Sequence, residues 1–251
     1  MNKFYLDYKD NRLKYIKELL TQNGDLVFDF ESNISDIKSE DICIVSPAYK
    51  WKSEVVRKLP KNVRVFGGNY DESLKESFDK INYCNMMKNE DFVLKNASYT
   101  AEGFLADLIS NTKYSIFEQK ILVLGSGRVA KAVEYLLYKL GVKFDTAMRS
   151  QKEYQHAKLL ACQSFMLHEV KKNLSNYDCI INTIPSVIFD KDDVERLRND
   201  CVVFELASKK CIDENCINKI NFVNCPALPS KYMCNSAGKL IYELIKEKEN
   251  I

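Results

Sequence analysis

Apolar residues in this chain fall into short unbroken runs separated by stretches in which they recur every three or four positions. Ile121 to Leu124 and Cys179 to Ile181 are uninterrupted, and the segment Cys201 to Ser208 opens on a third such run. Runs of this length predict strands buried on both faces, as in a parallel sheet. Within residues 1–95 the same pattern predicts strands at Lys3–Leu6, Asp25–Phe30, Asp41–Val45 and Asn62–Phe66. Helical spacing such as Leu13, Ile16, Leu19, Leu20 lies between them, so this part reads as a small α/β unit. A helix is expected from the segment Asn96 to Gly103 through Phe104, Leu105, Leu108 and Ile109, capped by Ser98 or Thr100 and joining the halves. Further strands are expected over Val142–Met148, about Cys201–Ser208 and at Asn221–Cys225, then a helix from about Ser236 with a solvated, fraying end at Lys246–Asn250. The expected fold class is α/β: a Rossmann-type doubly wound parallel sheet over 96–235, with a second, smaller α/β domain over 1–95.

Composition adds exclusions. The 251 residues carry 37 basic and 35 acidic side chains mixed along the chain, for a net charge of +2, so no nucleic-acid surface is implied. The polar start and the lack of an 18-residue apolar run give no sign of a leader or membrane span, and a soluble, cytoplasmic protein is expected. Nine cysteines without an export signal suggest reduced thiols. Cys211, Cys216, Cys225 and Cys234 have no metal-site spacing, His156 and His168 lie elsewhere, and no metal is expected.

The chemistry centres on Gly125-Ser126-Gly127-Arg128-Val129-Ala130, which follows one buried run and opens a helix with apolar positions Val129, Val133, Leu136, Leu137 and Leu140. Strand, G-x-G-x-x-A turn and helix together form the dinucleotide-binding fingerprint. Gly125 permits the tight turn, Gly127 lets the backbone approach a pyrophosphate, and the helix start offers N–H groups to the anion. An NAD site usually has an acidic residue at the end of the next strand. Here that end is Met148-Arg149-Ser150 with Lys152 beyond it, which suits the 2′-phosphate of NADP, with NAD possible. Asp145 is too early, in mid-strand. The exit loop Asn182-Thr183-Ile184-Pro185 and the end of the next strand at Ser208 would face the nicotinamide side. In the first domain, ligands are expected beyond strand ends at Ser46-Pro47 and Gly67-Gly68, where Lys50 could hold a carboxylate. Asn96, Thr100 and Glu102 are expected where the two domains meet. Neither histidine has a partner that spacing supplies, and the proton acceptor is left open, with Glu102 as one candidate.

Asn96-x-x-x-Thr100-x-Glu102-Gly103, the Gly-x-Gly-Arg turn, Arg149-Ser150, Ile181-Asn-Thr-Ile-Pro-Ser186, Leu206-Ala-Ser208 and Pro226-x-Leu-Pro229 occur in this order. Together they resemble the dipicolinate synthase A-subunit family, from about Val63 to the C-terminus. The resemblance implies two dehydrogenase-type α/β domains, with the C-terminal helix (236–251) returning toward the first. It implies NADP-linked oxidation of a dihydrodipicolinate-type cyclic dicarboxylate in the mother cell of sporulating bacteria, with a flavoprotein-like second subunit; a homo-oligomer is also expected. It assigns Gly125, Gly127, Arg128 and Val129 to the pyrophosphate and Arg149 with Ser150 to the 2′-phosphate. Asn182, Thr183, Pro185 and Ser208 go to the nicotinamide side. Glycines that the family tends to have are replaced at Lys209-Lys210-Cys211-Ile212 and at Ala227 and Ser230, on the substrate side. Two alternatives stay open: a nucleotide-binding regulatory or partner subunit, or a dehydrogenase of another small hydroxy or amino acid.

Overall fold

The computed structural model describes residues 1–249. They form two compact units: residues 1–96 with the chain from Pro229 onward, and Ala97–Leu228.

The first unit runs β1 (Lys3–Leu6), α1 (Asn11–Gln22), β2 (Leu26–Asp29), β3 (Ile42–Ile44), α2 (Ser53–Lys58), β4 (Arg64–Gly67), α3 (Lys75–Phe78) and β5 (Asn82–Asn85). Its strands are all parallel, in the order β2-β1-β3-β4-β5. One face packs Phe4, Leu6, Ile42 and Phe66 against Leu13, Ile16 and Leu20 of α1. The other face packs Tyr5, Cys43 and Val65 against Val56 and Phe78. Strand β5 has no counterpart in the sequence pattern. Its residues Asn-Tyr-Cys-Asn lack an apolar run because it lies at the sheet edge, where burial is partial.

α4 (Glu90–Asn111) corrects one expectation. It is a single 22-residue helix, and its buried stripe runs Phe92, Val93, Ala97, Ala101, Phe104, Leu108. Ser98 and Thr100 therefore lie inside the helix and cap nothing, because the segment 90–96 continues the same periodicity without a breaker.

The second unit contains β6 (Ile121–Leu124), α5 (Arg128–Lys139), β7 (Phe144–Met148), α6 (Gln151–Ala157), β8 (Gln163–Met166), α7 (Leu167–Val170) and β9 (Cys179–Asn182). It continues with α8 (Lys191–Glu195), β10 (Val202–Glu205), α9 (Glu214–Ile217) and β11 (Asn221–Asn224), and α10 (Leu228–Tyr232) follows. The parallel order β8-β7-β6-β9-β10-β11 is that of a doubly wound dinucleotide-binding sheet, with its switch point between β6 and β9. The half-polar β8, another edge strand, was also missing from the sequence pattern.

α11 (Cys234–Glu249) belongs to the first unit, where Ile241, Leu244 and Ile245 complete the face formed by Phe4, Leu13 and Ile16. Burying three such side chains stabilises the unit by ~1.5–3 kcal/mol each. Close approach to α1 requires Gly238, because a Cβ there would sit 2.6 Å from the Arg12 carbonyl oxygen. The end of this helix does not fray up to Glu249: Arg64 donates to the Glu249 carboxylate at 2.6 Å. The expected extension through Asn250 and Ile251 lies outside the described residues. Among the described residues, no helix is long and apolar enough to cross a membrane.

Candidate functional site

Sheet register lines up the strand exits of the second unit. Leu124 pairs with Ala147 on one side and Asn182 on the other, and Asn182 pairs with Glu205. At the end of β6 the chain turns at Gly125 with φ +121°, a conformation that L side chains rarely adopt. The Gly125 N–H donates to Ala147 O at 2.9 Å, and a Cβ at Gly125 would overlap the Thr183 hydroxyl. Thr183 closes the other side of the turn, its N–H and Oγ1 both donating to Leu124 O, at 3.0 and 2.8 Å. Gly127 is the N-cap of α5 and contributes no side-chain acceptor to the first turn. A Cβ on Gly127 would meet nothing within 4 Å, so the space in front of the helix start is open. Ser126 is half-buried, and Gly127 and Arg128 are exposed. This is the cradle that a pyrophosphate requires, with glycine at the turn and helix amides beyond it.

Arg149 is exposed at the exit of β7 and donates to Ser186 Oγ at 3.0 Å, tying the β7 and β9 exit loops across the end of β6. Ser150 is the N-cap of α6, and Lys152 is exposed in its first turn. β7 ends without a carboxylate at its exit. Asp145 is buried within β7 and accepts from Tyr177 Oη at 3.0 Å. Pro185 and Ser208 are exposed on the exit loops of β9 and β10, with Thr183 half-buried. Arg149, Ser150 and Lys152 could together hold an anionic group at this strand exit.

The residues expected on the substrate side are less coherent. Ser46 is nearly buried, and its hydroxyl accepts from Ala48 N at 3.2 Å and faces Arg12 Nη2 at 3.4 Å. Gly67 is buried beneath Tyr83 and Val45. Asn96 and Thr100 are four residues apart on one face of α4. Glu102 falls on another face and is exposed, so the three do not form one cluster. His156 and His168 are both exposed, and among the described residues no His, Cys, Asp and Glu converge in a metal-binding group. A cavity of about 590 Å³ lies at the amino-terminal edge of the second sheet, lined by Asn111, Lys113, Asp178 and Asn221. That is the opposite edge from the glycine turn.

Four buried charged side chains, Asp10, Arg12, Glu134 and Glu205, have no motif to mark them in the sequence pattern. Asp10 and Arg12 form an ion pair whose side chains are each 5% exposed; the Asp10 carboxylate also accepts from Ser230 Oγ at 2.8 Å. Burial pulls the Asp10 carboxyl up, but Arg12, Ser46 and Ser230 outweigh it and hold it at about 2. Glu134 replaces an apolar residue in the buried stripe Ala130, Val133, Leu137 of α5, whereas Leu140 of the expected stripe is exposed. Burial pushes the Glu134 carboxyl up to about 7, against the Thr146 hydroxyl, which donates to it at 2.6 Å, and nearby Lys131. Glu205 ends β10 at 1% exposure. Its sequence signal was a lone acid closing an apolar run.

No family model matches the chain. The dipicolinate synthase A-subunit of Bacillus subtilis (strain 168) is 23% identical over 201 residues, which span 78% of this chain and 68% of that protein. The crystal structure of the dipicolinate synthase A-subunit from Bacillus halodurans superposes with a TM-score of 0.82 at 20% identity. It covers 98% of this chain and 97% of its own. The chain is similar to the dipicolinate synthase A-subunit in both sequence and fold. A shikimate dehydrogenase (NADP(+)) of Caldanaerobacter subterraneus is 29% identical over 125 residues, 46% of this chain and 43% of that enzyme. Like the dipicolinate synthase A-subunit, the chain has a dehydrogenase-type fold of two parallel α/β units, and its sequence relatives include a dehydrogenase.

Proposed function

We propose that the chain is an NADP-dependent oxidoreductase that acts on a cyclic dicarboxylate of the dihydrodipicolinate type. The observation that carries the reading is the Gly125–Gly127 turn at the sheet's switch point with Arg149, rather than an acid, at the β7 exit. The helix start at Gly127, Arg128 and Val129, with Ser126 in the turn, would hold the pyrophosphate. Arg149, Ser150 and Lys152 would hold the 2′-phosphate through charge-assisted bonds. Asn182, Thr183, Pro185 and Ser208 lie on the exit loops left for the nicotinamide half. When bound, NADP supplies the hydride acceptor, and the protein's part is to position and shield. Similarity to the dipicolinate synthase A-subunit supports the substrate class. The proposal extends to a flavoprotein-like second subunit, a homo-oligomer, and a role in the mother-cell cytoplasm during sporulation.

A second reading is a nucleotide-binding partner subunit, or a dehydrogenase of another small hydroxy or amino acid. The exposed Glu102 and histidines, and the engaged Ser46 and Gly67, favour the partner subunit, since no proton acceptor is assembled from the expected residues. Isothermal titration with NADP⁺ and NAD⁺, followed by turnover on a panel of cyclic dicarboxylates and small hydroxy acids, separates these readings. Micromolar binding that favours NADP⁺, with cyclic dicarboxylate turnover, supports the first reading; binding with turnover of a hydroxy acid instead, or binding without turnover, supports the dehydrogenase or the partner-subunit form of the second. Absence of binding to either cofactor refutes both.

A further inference from the structure

Glu205 is a buried carboxylate that the fingerprint does not use. Its Oε1 accepts from Asn182 Nδ2 at 2.6 Å and from Ala207 N at 2.9 Å, and its Oε2 accepts from Cys211 N at 2.7 Å. Asn182 extends the network, donating from Nδ2 to Ile184 O and accepting from Ile184 N at Oδ1, both at 3.0 Å. One carboxylate thus fixes two segments, the turn after β9 and the loop from Leu206 to Cys211. Burial pushes the Glu205 carboxyl up, opposed by its bonds to Asn182, Cys211 and Ala207. A buried charge is costly unless fully bonded, and an apolar side chain would fill the same space without that cost. What only the carboxylate supplies is direction: three donors from two separate exit loops converge on it.

In a sheet of this order the fingerprint and the 2′-contact belong to the half made by β6, β7 and β8. The second nucleotide falls to the half made by β9, β10 and β11. Asn182 and Glu205 end the first two strands of that second half, in register with each other. We propose that Glu205 is the positioning residue of the nicotinamide half-site, holding Asn182 to Ser186 and Leu206 to Ser208 in the shape that receives the ring and its ribose. This inference rests on the dinucleotide reading of the Gly125–Gly127 turn.

The test compares two ligands on the full chain by titration calorimetry. NADPH spans both halves, whereas adenosine 2′,5′-bisphosphate reaches only the first. In Glu205→Gln the amide NH₂ must face at least one of the loop N–H donors, so the loops shift. NADPH affinity should fall at least tenfold, with bisphosphate affinity held within twofold and a cooperative thermal melt retained. Equal losses for both ligands, or no loss for either, would overturn the proposal. If Glu205→Gln does not fold, Glu205→Asp, which keeps the charge but retracts it by one methylene, is read in the same way. Failure of both variants to fold would make Glu205 a purely structural residue and overturn the proposal. Wild-type protein that binds the two ligands equally also overturns it, whereas wild-type protein that binds neither refutes the dinucleotide reading itself.

Discussion

Glu134→Gln should stabilise the second unit at high pH and do almost nothing at low pH. The folded chain holds the Glu134 proton to about pH 7, while an unfolded glutamate releases it near 4.5. Between these values the unfolded state binds fewer protons, so stability falls as pH rises. The cause is burial: the side chain is 5% exposed on the sheet-facing side of α5, and Thr146 and Lys131 offset only part of the penalty. At ~1.4 kcal/mol per tenfold change in proton affinity, the whole effect is ~3 kcal/mol, of which ~2.5 kcal/mol falls between pH 5 and pH 8. Glutamine copies the shape of the protonated acid, accepts from Thr146 in the same way and does not ionise. Trp51, the protein's one tryptophan, lies in the first unit, so its fluorescence reports the wrong region. Native-state hydrogen exchange at the β6 and β7 amides reads the stability of the correct region. Protection in Glu134→Gln should exceed wild type by ~2–3 kcal/mol at pH 8 and by under ~1 kcal/mol at pH 5. An equal difference at both values would refute the reasoning, since it would show a packing effect rather than proton linkage.

Gly127→Asp should abolish NADP binding, because it places a carboxylate where the pyrophosphate belongs. Its melting temperature should stay near wild type, since the added Cβ meets nothing within 4 Å; unchanged NADP affinity would refute the site. Arg149→Ala should weaken NADP by ~1.5–3 kcal/mol while leaving NAD nearly unaffected. Equal losses, measured by titration, would remove the 2′-phosphate assignment. Arg12→Met should cost the first unit ~3–5 kcal/mol at pH 7, because it leaves Asp10 buried without its counter-charge. The loss should shrink as pH falls toward about 2, because Asp10 without Arg12 takes up its proton at a higher pH than it does in the wild type. A cost under ~1 kcal/mol by urea denaturation at pH 7 would show that the pair is unimportant.

The sequence by itself determined the two-unit α/β plan and the nucleotide turn. Ile121–Leu124 and Cys179–Ile181 were legible because strands covered on both faces must be apolar throughout, and the glycine turn was legible because a positive φ at Gly125 leaves little choice of residue. Local rules of this kind act over a few residues and leave their mark in the order of side chains. What only the tertiary structure decided depends on partners far away in the chain. Edge strands β5 and β8 carry no apolar run because a single neighbour buries them only in part. The unbroken course of α4 is set by packing along its whole buried stripe, so reading a start near Asn96 misplaced Thr100 and Glu102. Asp10 is stabilised by Ser230, 220 positions along, and Glu205 by Asn182, 23 positions before it. A charged residue can lie in a core only when the fold brings donors to meet it, and no window of neighbouring residues records whether that happens.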